Sequence, residues 1–201
     1  MRELAERSDI DLGILDTQPG TGRFSTVDMS SDRGVISVLL GVQRRLFSIA
    51  IRDDVHPWAS GGTDDLSAVV GVADAWRRGA SLRALVDRFP FMSISHLAEA
   101  YESGDPVSAQ WDSLLGDAEF RHVAPVLLAI HQVDRLRTLF PYVSHGTIRL
   151  ALDVMDRSRG EIWIARLRNG RFRVESTTRG ESGKETGSME DAIEAALSYL
   201  P

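Results

Sequence analysis

Thr147-Ile148-Arg149-Leu150-Ala151-Leu152-Asp153-Val154 places an apolar residue at every second position against Thr, Arg, Ala and Asp between them. A period of two is the signature of a strand that buries one face. A few residues later, Glu161 to Arg168 and Arg171 to Glu175 flank Asn169-Gly170, the dipeptide most favoured in a two-residue type I′ turn. The two patterns predict an antiparallel three-stranded segment over 147–175. Ser188, with Asp191 three residues on, then opens a closing helix over 188–200 through Ile193, Ala196, Leu197 and Leu200.

Upstream, the period changes. Ser81 precedes Leu82, Leu85, Val86 and Phe89 at helical spacing, and Pro90 ends the run. Before it, Thr63 reads as an N-cap with Asp64 and Asp65 in the first turn, leading a helix through Leu66, Val69, Val70, Ala73 and Trp76 to Gly79. Further helices are expected around Leu97 to Glu102, Val107 to Leu115 and Pro125 to Phe140, so 63–140 reads as helical throughout. Gly34 to Leu40 and Arg45 to Ile51, joined by Gly41 to Arg44, predict an N-terminal β-hairpin over 34–51. Asp53 to Gly62 reads as a loop, and residues 1–22, ending in Gln18-Pro19-Gly20-Thr21-Gly22, as a loosely ordered N-terminal segment.

The fold class is therefore α+β: an N-terminal hairpin, a helical middle third, a three-stranded C-terminal segment and a closing helix, read as a single domain over 1–201. Whether the helical middle and the β-rich end share one core stays open. Phe89-Pro90-Phe91-Met92-Ser93 and Phe140-Pro141-Tyr142-Val143-Ser144 form a short echo that reads either as a repeat or as two uses of one helix-stop device.

With 201 residues, 43% apolar and 26% charged, the chain has the composition of an ordinary globular protein. The absence of cysteine removes disulfides, thiolate nucleophiles and cysteine zinc sites, and fits a reducing compartment. Met1 to Asp11 lacks the apolar core of a secretory signal, and the longest nearly unbroken apolar run, Val35 to Val42, is far shorter than the roughly 20 residues of a membrane helix. A cytoplasmic protein with no membrane partner is expected. The net charge of −6 argues against nucleic acid as a partner. Between Arg149 and Arg179, however, eight Arg stand against two Asp and two Glu, a net +4 that leaves −10 on the remainder.

If Asn169-Gly170 is the two-residue turn, Arg168 pairs with Arg171 and Arg166 with Arg173, which gathers four guanidinium groups on one sheet face. Such a face requires neighbouring carboxylates, solvent or a bound anion to offset its repulsion. Trp58 in the Gly-rich stretch before Thr63 is the aromatic residue that reads as a pocket wall. That stretch, Trp58-Ala59-Ser60-Gly61-Gly62-Thr63, lacks the Gly-Lys-Ser/Thr ending of a phosphate loop and reads as a helix cap. Of the five histidines, His96, which shares a helix face with Glu99, and His145 are the candidate general bases. No His-x-x-x-His or His-Glu-x-x-His spacing points to a metal, no Gly-x-Ser-x-Gly to a serine nucleophile, and no cofactor is implied.

Several strings together, namely WASGGTDDL (58–66), VADAWRRG (72–79), DRFPFMS (87–93), AQWDSLL (109–115), LRTLFPYVSHGTIRLAL (136–152), RFRV (171–174) and EDAIEAALSYLP (190–201), resemble an uncharacterised actinobacterial family labelled as natural product biosynthesis proteins. The likeness runs from Phe47 to Pro201 and departs at Gly146, where the family usually carries an aromatic residue. It implies a bacterial cytoplasmic protein found near biosynthetic genes, and supplies no reaction, cofactor or catalytic residue. Three functions follow as expectations. The first is an accessory or recognition protein that binds a protein, a peptide or a small anionic ligand through Arg166, Arg168, Arg171 and Arg173, with Trp58. The second is a small cofactor-independent acid/base enzyme using His96, His145 and Glu99. The third is an immunity-type protein that neutralises a partner protein.

Overall fold

The computed structural model of the chain describes residues 1–19, 25–41, 43–54, 56–178 and 183–200. The chain divides into two compact units, Met1–Gly104 and Asp105–Pro201, each with its own sheet and its own apolar core. The single domain read over 1–201 thus meets two cores. The division falls where two opposite signals touch: Gly104 ends one helix in the left-handed region at φ 90°, and Asp105 caps the next, which has Pro106 in its first turn.

In the first unit, a short helix α1 (Arg2–Arg7) precedes strands β1 (Leu15–Pro19), β2 (Ser25–Ser31), β3 (Gly34–Leu40), β4 (Phe47–Arg52) and β5 (Pro57–Thr63). Helices α2 (Leu66–Arg77) and α3 (Leu82–Arg88), strand β6 (Met92–Ile94) and helix α4 (His96–Ser103) follow. The six strands form one antiparallel sheet in chain order. Register puts Met29, Ile36, Ile51, Ala59 and Ile94 in one cross-strand row, and these pack with Val69, Val70, Trp76, Leu82 and Leu85. Fully burying a side chain of this size contributes about 1.5–3 kcal/mol.

The hairpin read over 34–51 is present, with Leu40 opposite Phe47. Its neighbours differ from the sequence reading. Residues 1–19 form α1 and β1 rather than a loose segment; residues 20–22 of that segment lie outside the described residues. The loop expected over 53–62 is largely β5, in which glycine answers a close approach: a Cβ on Gly61 would stand 2.5 Å from the Phe91 carbonyl oxygen on the adjoining β6 segment. The cap of α2 is Asp65, whose carboxylate accepts from the Ser67 N–H at 2.8 Å, while the Thr63 hydroxyl accepts from the Asp65 N–H.

In the second unit, α5 (Pro106–Gly116), a 3-10 turn (Ala118–His122), α6 (Ala124–His131) and α7 (Asp134–Arg137) lead into β7 (Phe140–Ser144), β8 (Thr147–Ala151), β9 (Glu161–Arg166), β10 (Phe172–Ser176), β11 (Lys184–Thr186) and α8 (Met189–Leu197). The expected three strands are thus the middle of a five-stranded antiparallel meander. The helix read as far as Phe140 ends at Arg137, because Phe140 opens β7 and pairs with Ala151. Ile148, Leu150, Ile162, Ile164, Phe172 and Val174 share the sheet face covered by Trp111, Leu127, Ile130, Ala192 and Ala196.

The two copies of the echo occupy different places. Pro90 precedes β6, which pairs back to β5, whereas Pro141 lies within β7, which pairs forward to β8. Both strands are sheet edges, where a residue without an N–H is tolerated. The shared string is one local device used in two topologies.

Candidate functional site

The β9–β10 hairpin decides where the arginines point. Arg166 pairs with Phe172 and Ala165 with Arg173, one residue out of the register expected from the sequence. Asn169 is not among the residues with positive φ, and Gly170 alone in the loop has one, at 81°. The Gly170 N–H donates to the Leu167 carbonyl at 3.0 Å and the Leu167 N–H to the Arg171 carbonyl at 2.7 Å. This is a three-residue loop, a type I turn followed by glycine in the left-handed region, and not the two-residue turn. The type I′ geometry belongs to His145 and Gly146, at φ 51° and 75°, which join Ser144 to its partner Thr147.

A one-residue change of register turns pairs of a strand to the other face. The expected four-arginine face is therefore broken. Arg173 lies on the face away from the helices, opposite Ala165 and Glu185, and its Nη2 is 2.6 Å from the Glu185 carboxylate. That guanidinium holds the Glu185 carboxyl below its usual range. Arg166, Arg168 and Arg171 are exposed at the hairpin tip. Arg171 donates to the Glu185 backbone carbonyl at 3.3 Å; among the described residues, neither Arg166 nor Arg168 has a carboxylate within 4 Å.

The same outward face carries a second arrangement. Tyr142, Arg149, Trp163 and Glu175 stand opposite one another across β7, β8, β9 and β10. Beside this row, the buried Glu161 carboxylate accepts from the Tyr142 hydroxyl and, at 2.7 Å, from the Trp163 indole N–H. Glu161 itself is fixed at the start of β9, since its N–H donates to the Thr177 hydroxyl at 2.8 Å and its carbonyl accepts from the Thr177 N–H at 3.0 Å. The Arg149 guanidinium lies over the Trp163 ring at 4.2 Å and 3.9 Å from Glu161, too far for a hydrogen bond. Burial raises the Tyr142 hydroxyl above its ordinary pKa of 10.0; the Glu161 bond adds to that, and Arg149 opposes it.

The candidate histidines sit elsewhere. His96 is exposed at the start of α4, and Glu99 on the same helix faces Arg83 at 3.7 Å. His145 is exposed in the β7–β8 turn, its Nδ1 3.1 Å from the Ser144 hydroxyl. His96 and His145 fall in different units. The histidine that is buried, at 6% exposure, is His56: its ring packs against Tyr101, tilted by 53° with centroids 3.8 Å apart, and its Nδ1 is 3.5 Å from Asp53. Trp58 donates its indole N–H to Asp53 at 3.1 Å and lines a cleft of about 410 Å³ with Arg52, Pro57, Ser60, Ser93 and Ser95. A cleft of about 570 Å³ in the second unit is walled by Asp105, Ser108, Asp112, His131 and Arg137 over the edge of Trp111. Sequence reasoning missed the Tyr142, Arg149, Glu161 and Trp163 group because its members come from three strands; the alternation Thr147 to Val154, which points Arg149 outward, was its only signal.

Residues 105–201 match the model of a family of unknown function (DUF6193). The matched segment, just under half of the chain, begins at the same residue as the second compact unit. The hairpin tip and the outward sheet face both lie within it. No curated protein and no solved structure matches the chain. Among the described residues, no helix is long and apolar enough to cross a membrane, and no three His, Cys, Asp or Glu gather as metal ligands would.

Proposed function

We propose that the chain is a recognition protein whose second unit binds an anionic or peptide-like partner with the tip of the β9–β10 hairpin. The observation that carries this reading is the set of exposed guanidinium groups of Arg166, Arg168 and Arg171, none of them within 4 Å of a carboxylate among the described residues. Guanidinium forks match carboxylate and phosphate geometry and make stronger hydrogen bonds to charged acceptors than to neutral ones. The setting of that binding, in our reading, is natural product biosynthesis in the cytoplasm of an actinobacterium, with the protein in an accessory role. The support is the resemblance of the quoted segments, several of which lie in the unit that matches the unknown-function family.

The test uses fluorescence anisotropy with a labelled hexaglutamate peptide at low ionic strength. The wild-type chain binds it with an affinity that falls as salt rises, because exposed charges are screened within about 10 Å at 0.1 M salt. Replacing Arg166, Arg168 and Arg171 together by Gln weakens binding about tenfold, about 1.4 kcal/mol. An unchanged affinity in the triple variant, or no binding by the wild type at millimolar concentrations, overturns the proposal.

A further inference from the structure

We infer that Arg149, held on the Trp163 ring, is a receiving site for a single carboxylate of a peptide-like partner, distinct from the hairpin tip. The inference deepens the recognition reading and rests on it.

Three observations converge. First, the guanidinium is held in place from several sides: Trp163 lies beneath it, Tyr142 flanks it at 5.7 Å, and the buried Glu161 stands at 3.9 Å. Glu161 also fixes both rings by accepting from the Tyr142 hydroxyl and the Trp163 indole. A fork held in this way loses little rotational freedom when it binds, so less of each new hydrogen bond is offset by ordering.

Second, the fork is only partly satisfied. Arg149 Nε is buried and has no hydrogen-bond partner among the described residues; Glu161 is too distant to take one, and the contact the guanidinium does make is with the Tyr142 hydroxyl. The side chain nevertheless keeps 27% of its surface in solvent, so an acceptor can reach its outer edge. A guanidinium that has lost water from its inner edge gains more from a charged acceptor than a fully solvated one does.

Third, the local charge selects the ligand. Glu161 already supplies one negative charge next to Arg149, and Glu175 lies in the same cross-strand row beyond Trp163. A phosphate dianion would meet both carboxylates, whereas a monoanionic carboxylate can take the outer edge of the fork with its apolar attachment against the half-buried Trp163 and Tyr142 rings. Such a carboxylate comes either from a C-terminus or from an acidic side chain.

The experiment follows the Trp163 indole N–H resonance of the full chain during titration with three tetrapeptides. One is Gly-Ser-Ala-Phe with a free C-terminus, the second is its C-terminal amide, and the third is Gly-Ser-Phe-Asp amide. A saturable shift with the first alone assigns the site to a C-terminus, and a shift with the third assigns it to a side-chain carboxylate. In R149Q the affinity for the active peptide falls at least tenfold; R149K, which keeps the charge but loses the fork, recovers only part of it. The variant lacking the three tip arginines binds the tetrapeptide as the wild type does, so loss of hexaglutamate binding and loss of this site are separable. Equal shifts with the neutral amide, wild-type affinity in R149Q, or no shift with either carboxylate at 10 mM overturns the inference.

Discussion

The two units end their meanders alike. In the first, Asp65, Leu66, Val69, Val70, Ala73 and Trp76 follow β5 with the same mutual spacing as Ser188, Met189, Ala192, Ile193, Ala196 and Tyr199 after β11. Each series begins with a side-chain cap, and each sets a threonine, Thr63 or Thr186, two residues before it. Each closes on a buried aromatic with a cation over its ring, Arg33 over Trp76 at 3.7 Å and Lys184 over Tyr199 at 5.2 Å. The volumes differ: α2 buries Val69, Val70, Val72 and Trp76, and α8 buries Ala192, Ala195 and Ala196. The second unit also brings Trp111, Leu127 and Ile130 of α5 and α6 to the same core, so α8 needs short side chains to share the space. One cap-and-spacing plan thus serves two cores of different packing.

The largest effect that tests this contrast is on the closing aromatics. Trp76→Ala removes a wholly buried side chain from the first core and is expected to cost about 3–5 kcal/mol. In the second unit, enlarging rather than emptying the position is the sharper probe. Ala196→Leu forces a larger side chain between α8 and the sheet and costs about 1–3 kcal/mol. Urea unfolding followed by circular dichroism measures both. If Ala196→Leu proves neutral or stabilising, the second core has space to spare, and shared packing is not why α8 is built from alanine.

Where these cores sit was partly legible beforehand. The spacing of Leu82, Leu85, Val86 and Phe89, the apolar strands of 34–51 and the first five residues of the alternation from Thr147 to Val154 gave helices and strands that the structure retains, β8 ending at Ala151. β1, β2 and β11 escaped because strands such as Ser25-Thr26-Val27-Asp28-Met29-Ser30-Ser31 bury few of their described side chains, with Met29 alone among these fully inside. Their place is set by neighbouring strands rather than by their own composition. The boundary between units lay in plain sight at Gly104-Asp105-Pro106, a helix stop beside a helix start, but the surrounding helices masked it. The arginines went to the wrong faces because Asn169-Gly170 suits two loops that differ by one residue, and the pattern of the strands did not separate them.

A smaller effect concerns the caps. Asp65 and Ser188 each accept a backbone N–H of the first turn, at 2.8 and 3.1 Å. Asp65→Ala and Ser188→Ala are each expected to lose about 1 kcal/mol. Calorimetry on the two single variants and the double variant measures this. The separate caps imply additive losses, and a clear departure from additivity couples the two helices.

The smallest effect is confined to the second unit, whose outward face carries Tyr142, Arg149 and Trp163 where the first unit presents Ser37, Ala50, Ser60 and Ser93 in its corresponding row. Burial first, and the Glu161 bond next, raise the Tyr142 pKa above 10.0. The folded chain therefore holds that proton after the unfolded chain has released it. The resulting contribution to stability is complete below pH 10 and is lost as pH rises through the folded value. Glu161→Gln removes a raising influence and brings the Tyr142 titration down, whereas Arg149→Gln removes a lowering one and moves it up. Ultraviolet difference titration of tyrosinate, with Tyr142→Phe to identify the signal, distinguishes the two directions. A titration that moves in neither variant would mean that burial alone governs the hydroxyl and that Glu161 does not tie the tyrosine to the arginine beside it.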